Sequence, residues 1–454
     1  MPIFDAVHDL AHPVEPDTAW SPRQRRHHRD CARRVVDRAH ARGPRGLATA
    51  LLVLAVTSTS VRADESLWDK FMAAGAESYG RGQFGEAEKA WQAALREAEQ
   101  AGPEDPRIAA SLSNLAELYR KQGKFSEAES LLGRALTLVE KVRGPEDPGV
   151  ATVLNNLAAV FATQRRYQKA EQLFARALAI REAANPDSLE VAASLDNLGV
   201  LYRNQGQYPE AERYFKRGLD VRQRVLGASN PGVTKSLDLL GALYSDQGKY
   251  DAAEPYYRRA HQINTRAYGR NTPEMTESLL QYAAVLRKQG KHGQAEPLYL
   301  LGMQMAERTY RSNGPALAAA LREVAQHRQA QGRWADAEPL HQRAVDLLEK
   351  APNADGLELA AALTSLAEVY RHQGKLAEAD ALYKRAVALT EKAVGPNDPE
   401  VATLLEYHAV LLRLMDRGQD AAPLEARAKM IRENARKAAP APGSTTPAPT
   451  SDFP

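Results

Sequence analysis

The residues of this chain that could take part in acid–base or metal chemistry are spread along it rather than grouped. After residue 63 the chain contains six histidines, His261, His292, His327, His341, His372 and His408. No two of them have the spacing that places two metal ligands on one face of a helix, and no HExxH segment or phosphate-binding P-loop occurs. We interpret these histidines as satisfied or partly buried structural residues.

A row of glutamates is the second candidate for chemistry. Each one directly follows a recurring alanine, and the row comprises Glu88, Glu129, Glu171, Glu212, Glu254, Glu296 and Glu338. A carboxylate in the first turn of a helix interacts favourably with the helix dipole, which explains the row without catalysis. The only cysteine is Cys31, near the N-terminus, so a thiol nucleophile or a cysteine-ligated metal is excluded for the rest of the chain. We therefore predict that the chain is not an enzyme and has no metal or cofactor.

Asparagines and arginines form the third set, and they point to binding. Asn114, Asn156 and Asn197 recur at intervals of about 42 residues. Asn155 and Asn204 lie close to them in sequence, and a sparser arginine row comprises Arg120, Arg203, Arg287, Arg371 and Arg413. An asparagine amide can pair with the backbone of an extended peptide, and an arginine can hold a carboxylate through two hydrogen bonds. Their period indicates that a repeated element positions them.

That element is predicted to be two amphipathic helices joined by a tight turn. The first helix has apolar residues at i, i+3, i+4 and i+7, namely Leu112, Leu115, Ala116 and Tyr119. The second has a similar face, formed by Ala128, Leu132, Ala135 and Val139. Gly123 stands between them, where a sharp turn needs a left-handed residue.

Nine copies align on this turn. Seven have glycine there, at positions 82, 123, 206, 248, 290, 332 and 374, and the other two have Arg165 and Asp416. An alanine recurs five residues after the turn in every copy, and a small residue follows seven positions later. Nine copies in phase establish an internal repeat.

The pattern Leu-Ala…Tyr…Gly…Tyr/Phe…Ala…Ala resembles the tetratricopeptide repeat family, and specifically its variant of about 42 residues found in kinesin light chains and many bacterial proteins. The resemblance covers roughly residues 65 to 437. It implies an all-α fold, a right-handed α-solenoid superhelix of about nine helix-turn-helix pairs. The usual repeat has about 34 residues. We expect the additional length in segments such as 144–156 and 395–407, where Asp147-Pro148 and Asp398-Pro399 predict an N-cap and a first helical proline, so that the first helix is about one turn longer than usual.

The resemblance also implies a groove. In such a solenoid the first helices line the concave side, and their polar faces form its surface. Related repeat domains hold bound peptides with an asparagine at this step of the first helix, a role that falls by resemblance on Asn114, Asn156 and Asn197. The alternative is a solvated polar face without a ligand. Under both interpretations we expect these side chains to face solvent, and because Leu239 replaces the asparagine in the next copy, a peptide site would centre on the first four repeats.

Charge is uneven along the chain. The formal net charge is +3, but residues 1–63 contain 10 Lys and Arg against 6 Asp and Glu, leaving 50 against 51 for the rest. A repeat region this balanced gives no electrostatic case for binding nucleic acid or an anionic membrane.

Residues 1–63 have the layout of a leader with a secretory signal. A basic segment, 42–46, precedes an apolar run over 47–57, which is followed by a cleavage site ending at Ala63. The run is too short for a membrane span, which needs about 20 residues. The alternatives are a short buried helix in an unusual N-terminal domain and, for the residues before the signal, a wrongly assigned translation start. We expect an exported protein, periplasmic or secreted, in a bacterium.

Three regions are thus predicted: the leader 1–63, a solenoid over 64–437, and a disordered Pro/Ala/Thr-rich tail over 438–454. The last pair is the most degraded copy, and its charged run over 427–437 is interpreted as a polar cap. The function favoured is a non-enzymatic scaffold that binds protein segments in its groove. The alternative is a structural subunit that self-associates through its end repeats.

The leader gives a first testable prediction. Protein recovered from the soluble envelope fraction of an exporting bacterial host is expected to begin at Asp64, because signal peptidase removes residues 1–63. N-terminal sequencing measures this directly. An intact chain in the cytosol would contradict the export hypothesis.

Overall fold

The computed structural model describes residues 66–268, 272–311, 313–351 and 356–438. Within these ranges the regular elements are all helical, and 18 α-helices follow one another as nine antiparallel pairs. The chain divides into two compact units between Val225 and Leu226. The predicted leader and all but the first residue of the predicted tail lie outside the described residues.

Unit 1 contains the first four pairs. Their helices are α1 Leu67–Gly80, α2 Phe84–Ala101, α3 Pro106–Lys121, α4 Phe125–Arg143, α5 Pro148–Thr163, α6 Tyr167–Ala184, α7 Leu189–Asn204 and α8 Tyr208–Leu226, whose last residue is the first of unit 2. Each helix packs against the next one along the chain, and α5 also touches α3 and α7. One continuous apolar core runs through these helices.

Unit 2 contains the other five pairs. After a short 3-10 turn over Pro231–Val233, its helices are α9 Thr234–Asp246, α10 Tyr250–Ala267, α11 Pro273–Lys288, α12 His292–Thr309, α13 Gly314–Ala330, α14 Trp334–Lys350, α15 Gly356–His372, α16 Leu376–Val394, α17 Pro399–Leu414 and α18 Gly418–Ala438. The predicted all-α solenoid of helix pairs is therefore confirmed, and each pair contains one of the nine predicted turns.

The turn inside each pair has one backbone geometry in all nine copies. The seven glycines have φ between 70° and 77°, and Arg165 and Asp416 have φ of 60° and 58°. Each turn is closed by a backbone N–H that donates to a carbonyl five residues earlier, as from Lys124 to Tyr119 at 2.8 Å. This is the 6→1 bond of a Schellman motif, which needs a left-handed residue at its centre.

Two small residues on each second helix set the distance between paired helices. The alanines five residues after the turn, from Ala87 to Ala421, are fully buried in every copy. The residue seven positions further along each second helix is also a buried alanine, except in the two copies that have Gly218 and Gly302 there. Small side chains allow close axial approach, because side-chain size at the contact determines interaxial distance.

The two helices of a pair differ in length. First helices have 13 to 17 residues and second helices 17 to 21, and the second helix is the longer in eight of the nine pairs. Asp147 and Asp398 do cap the first helices that start with Pro148 and Pro399, accepting from the backbone N–H two residues on. These caps fix where each of the two first helices begins, and the expectation of a first helix about one turn longer than usual stays a prediction.

The glutamate row has a role beyond the helix dipole. Within unit 1, Glu88 accepts a hydrogen bond from the hydroxyl of Tyr119 at 2.8 Å, and Glu171 accepts one from Tyr202 at 2.7 Å. Within unit 2, Lys291 donates to Glu254 at 2.8 Å and holds the pKa of that carboxyl below its usual value. Each of these bonds joins one pair to the next, so the row fastens neighbouring repeats together.

Among the described residues no helix is both long enough and apolar enough to cross a bilayer.

The left-handed turn gives the second prediction. Arg165→Gly is expected to raise the free energy of unfolding by about 1 kcal/mol, because a left-handed conformation costs a non-glycine residue roughly 1–2 kcal/mol. Chemical denaturation of purified protein measures the change. The matched control is Gly123→Ala, at the same turn one pair earlier, which should destabilise by a similar amount. A neutral result for both variants would contradict the assignment of strain to these turns.

Candidate functional site

The predicted asparagines meet at one recess in unit 1. The recess is lined by the first helices α3, α5 and α7, with one side chain from α6, and encloses about 490 Å³ including the solvent at its mouth. Four of the predicted asparagines line it, together with one predicted arginine: Asn155, Asn156, Asn197, Asn204 and Arg120. Sequence positions up to 84 residues apart are thereby brought to one surface.

Three of these asparagines have a side-chain amide end without a partner. The Oδ1 atoms of Asn155, Asn197 and Asn204 are buried and accept no hydrogen bond from any described residue. The other end of the Asn155 amide has a partner, because its Nδ2 lies 3.5 Å from the hydroxyl of Ser194. Since the oxygen and nitrogen of an amide can exchange places by a flip, each unpaired end can serve as acceptor or donor. A buried unpaired polar group costs about 1–3 kcal/mol, which a ligand can recover.

The rest of the lining is apolar. Phe174 of α6, Val200 and Leu201 of α7, and Ala159 and Ala162 of α5 complete the surface. The two alanines leave room that larger side chains would fill. A recess with an apolar wall and a few convergent polar groups is the usual form of a ligand site in proteins.

Arg120 is held within the protein. Its Nε and Nη2 each donate to a carboxylate oxygen of Glu117 at 2.7 Å, and Nη1 lies 3.3 Å from the hydroxyl of Thr163 on α5. Burial lowers the pKa of the guanidinium, but the hydrogen bonds that it donates to the Glu117 carboxylate outweigh burial and raise the pKa, so the side chain stays charged. Because Glu117 and Thr163 together engage all three nitrogens of the guanidinium, Arg120 is not free to bind a ligand carboxylate.

A buried ion pair positions α7 beside the recess. Arg222 of α8 donates to Asp196 of α7 at 2.6 Å, with both side chains almost fully buried. A Cβ on Gly218 would lie 2.8 Å from the Asp196 carboxylate. The small-residue row therefore has glycine at this copy because the carboxylate takes the space of a methyl group.

The remaining predicted residues lie elsewhere. Asn114 on α3 is buried, with Nδ2 unpaired, and does not line the recess. Arg203 on α7 is partly buried and also lies outside the lining.

The three arginines of the row that lie in unit 2, Arg287, Arg371 and Arg413, have partners of their own. Arg287 lies 3.2 Å from the hydroxyl of Tyr299 and pairs with Glu323 at 3.6 Å, while Arg371 forms a two-point ion pair with Glu368. Arg120, Arg287 and Arg371 are therefore already paired within the chain and do not form a row available to an acidic ligand.

The expectation that the repeated asparagines face solvent is wrong for Asn114 and Asn197. Asn114, Asn155, Asn197 and Arg120 are all at most 9% exposed, and only Asn156 and Asn204 of the asparagines are partly exposed. The physical reason is that a first helix is packed on three sides, by its own second helix, by the preceding second helix and by neighbouring first helices. The amphipathic pattern identifies the apolar face of a first helix. It does not show how little of the polar face stays exposed to solvent once the helix is packed.

The histidines agree in part with their structural interpretation. His327 and His408 are buried and paired, with Glu296 and Asp380 respectively, each at 2.6 Å. His341 is fully buried, and neither ring nitrogen has a hydrogen-bond partner among the described residues, so the expectation of a satisfied histidine is wrong there. Burial, together with the nearby charge of Arg322, lowers the pKa of His341 to about 4.

No described group of three or more His, Cys, Asp or Glu residues could hold a metal ion. The chemistry that the recess offers is hydrogen bonding and apolar contact.

Sequence reasoning missed the apolar part of the lining. Glu117, Ala159 and Val200 share one register position, six residues before the turn, and they line the recess beside the asparagines. Aligning every register position, rather than the polar ones alone, would have shown that this position is small or apolar in two of the three copies.

Comparison with known proteins assigns the repeat. The family model of the tetratricopeptide repeat matches residues 74–141, 108–183, 190–266, 274–356 and 358–434, well over half of the chain. The chain belongs to the tetratricopeptide repeat family. A search of curated proteins finds no match.

Solved structures of repeat proteins are similar to this chain. BtubC (BKLC) from P. vanneervenii is 25% identical over 51% of this chain and 92% of that one, with a TM-score of 0.44. The nearly identical TPR-like repeats of a Podosopora anserina protein assigned as a kinesin light chain are 21% identical over 45% and 98%, with a TM-score of 0.40. The apo form of the quorum sensor NprR from B. thuringiensis is 14% identical over 81% and 97%, with a TM-score of 0.53, and supports the fold alone.

The Arg120–Glu117 pair gives the third prediction. Arg120→Ala is expected to destabilise the fold by about 2–3 kcal/mol, because it removes the only cation that pairs with a largely buried carboxylate and leaves it the hydroxyl of Tyr79 alone. Thermal and chemical denaturation measure the loss. The control is Arg413→Ala, which has the same register and the same two-point pairing with Glu425 but lies exposed. It should leave stability unchanged, since exposed pairs contribute little, and equal losses in the two variants would refute the role of burial.

Proposed function

We propose that this tetratricopeptide-repeat protein is an exported, non-enzymatic scaffold that binds an extended segment of a partner protein in the recess of unit 1. The observation behind the proposal is the set of three buried, unpaired amide ends, on Asn155, Asn197 and Asn204, beside an apolar wall. An extended peptide offers backbone N–H and C=O groups at regular intervals, and both can pair with asparagine amides. Export is a separate part of the proposal and rests on the leader.

The lining indicates what such a segment contains. Val200, Leu201 and Phe174 provide a wall for an apolar side chain, while the amides pair with the backbone on either side of it. Acidic side chains gain little here, because the single cation of the lining, Arg120, is neutralised by Glu117. The earlier hypothesis that Arg120 holds acidic positions is therefore replaced by a preference for uncharged, apolar-anchored segments.

Asn156 gives the fourth prediction. It is the recess asparagine whose side chain is partly exposed and has no buried unpaired atom. Asn156→Ala is expected to change the free energy of unfolding by no more than about 0.5 kcal/mol, as surface substitutions do. Its affinity for a bound peptide should fall roughly tenfold, because a peptide amide loses its partner on binding.

The measurement uses a peptide selected from a displayed random library on the purified chain, followed by isothermal titration calorimetry. Ala159→Phe serves as a second variant, since a ring at this position would fill the recess and should abolish binding. Arg413→Ala is the control and should bind like the parent. If Asn156→Ala and Ala159→Phe both bind with unchanged affinity while folding normally, the recess is not the binding site.

A further inference from the structure

Three histidines of unit 2 stand at positions where most other pairs have apolar or aromatic core residues. His292 lies two residues after its turn and His341 nine residues after its turn, and at each of these positions six other pairs have an aromatic residue. His327 lies five residues before its turn, where seven other pairs have a buried leucine or valine. The three lie on the consecutive helices α12, α13 and α14. Residues 66–225, by contrast, contain no histidine.

His327 is fully buried where α13 packs on α12. Its ring stacks on that of Tyr299 with 4.6 Å between the centroids, and its Nε2 lies 2.6 Å from a carboxylate oxygen of Glu296. Its Nδ1 is buried and has no partner among the described residues. A neutral ring with its proton on Nε2 therefore fits this place, because it donates to the carboxylate. A second proton, on Nδ1, would have no acceptor.

The charges around His327 come from both of these helices and from the turn before α14. On α12, the Glu296 carboxylate faces it, and the ring of His292 lies 5.7 Å away. Arg328 of α13 pairs with the same carboxylate, and Arg333 lies 3.8 Å from it. Burial lowers the pKa of His327, Glu296 opposes this, and His292 and Arg328 lower the pKa further. The neutral ring is thus the form that the folded pair prefers.

His341 lacks even the one bond that His327 makes. It is fully buried on α14, and neither ring nitrogen has a hydrogen-bond partner among the described residues. The charge that acts on it is the guanidinium of Arg322 on α13, which is influenced in turn by Glu323 of α13 and Glu358 of α15. An imidazolium at this place would be buried beside a like charge without an acceptor, which is strongly unfavourable.

Both histidines make the seventh pair, α13 and α14, less stable in acid. In an opened pair each ring titrates at its ordinary value of about 6.5, whereas the folded pair lowers that pKa. The opened form therefore binds more protons, and the stability that is fully present above about pH 6.5 is lost as the pH falls below that value. For His341, whose pKa is lowered to about 4, the equilibrium constant for opening rises about twentyfold between pH 7 and pH 5.

We propose that the seventh pair is an acid-responsive element of unit 2, which opens from the sixth and eighth pairs when His327 and His341 take up protons, while unit 1 stays folded. The sixth and seventh pairs are joined at Glu296, by His327 and Arg328. The corresponding bonds of unit 1 are donated by tyrosine hydroxyls, as from Tyr119 to Glu88, and tyrosines keep their protons well above neutral pH. The element is independent of the recess in unit 1.

Hydrogen–deuterium exchange on the full chain, followed peptide by peptide, tests the proposal. After correction for intrinsic exchange rates, the amides of α13 and α14 should lose protection by at least about tenfold between pH 7 and pH 5, and those of α3 to α7 should keep theirs. The measurement must resolve single helices because Asp238 on α9 has the opposite dependence. Desolvation raises the pKa of its carboxyl to about 8, so acid stabilises the fold there.

Two substitutions give the seventh pair the residues that other pairs have. His327→Leu and His341→Phe should each restore part of the protection of α13 and α14 at pH 5, and the double variant should restore most of it. The matched control is His408→Leu on α17, where leucine is again the common residue at that position. It removes a histidine bonded to Asp380 at 2.6 Å, but α13 and α14 should still respond to acid as in the parent.

Any of three results would overturn the proposal. Unchanged protection of α13 and α14 in the parent at pH 5 would show that protonation does not open the pair. An equal loss in the parent and in both single variants would place the acid-sensitive group elsewhere. A loss of the same size throughout unit 1 would show general unfolding in acid instead of a local element.

Discussion

The close contact between the two helices of each pair is the interaction on which the rest of the structure depends. It is made by two small residues seven positions apart on the second helix, and all of the alanines in these rows are buried. A left-handed turn residue before the second helix holds the two helices antiparallel at that short distance. Where the contact needs additional space, as at Gly218 beside Asp196, the row changes to glycine.

Because every pair has the same geometry, residues at the same distance in sequence from the turn lie in a row along the surface of each unit. Neighbouring pairs are fastened by bonds that repeat with the period of the sequence, such as that from Tyr119 to Glu88 and that from Tyr202 to Glu171. A substitution at one register position then changes the chemistry of a surface without disturbing the pairs. Asparagines at such positions make a recess in unit 1, and Tyr407, Val410 and Leu414 make an apolar stripe in unit 2.

The distribution of charge supports the proposal that the recess binds an uncharged segment. Arg120, Arg287 and Arg371 all bind carboxylates of the chain itself. Two-point pairing with a neighbouring glutamate satisfies the guanidinium and leaves no net charge for a ligand to meet. The unsatisfied groups of the recess are neutral amides, and neutral amides recognise backbone better than acidic or basic side chains.

The sequence by itself determined the number of pairs and the position of the turn in each, including the turns at Arg165 and Asp416, because these follow from local periodicity. It also identified most of the polar residues of the recess, since a fixed register places them on the same line. The tertiary structure alone decided how deeply they are buried, that Arg120 is occupied by Glu117, and that Phe174 and Val200 form the wall. Burial and pairing depend on how many neighbours surround a helix, and residues on three or four different helices supply those neighbours, which no periodicity along one helix can specify.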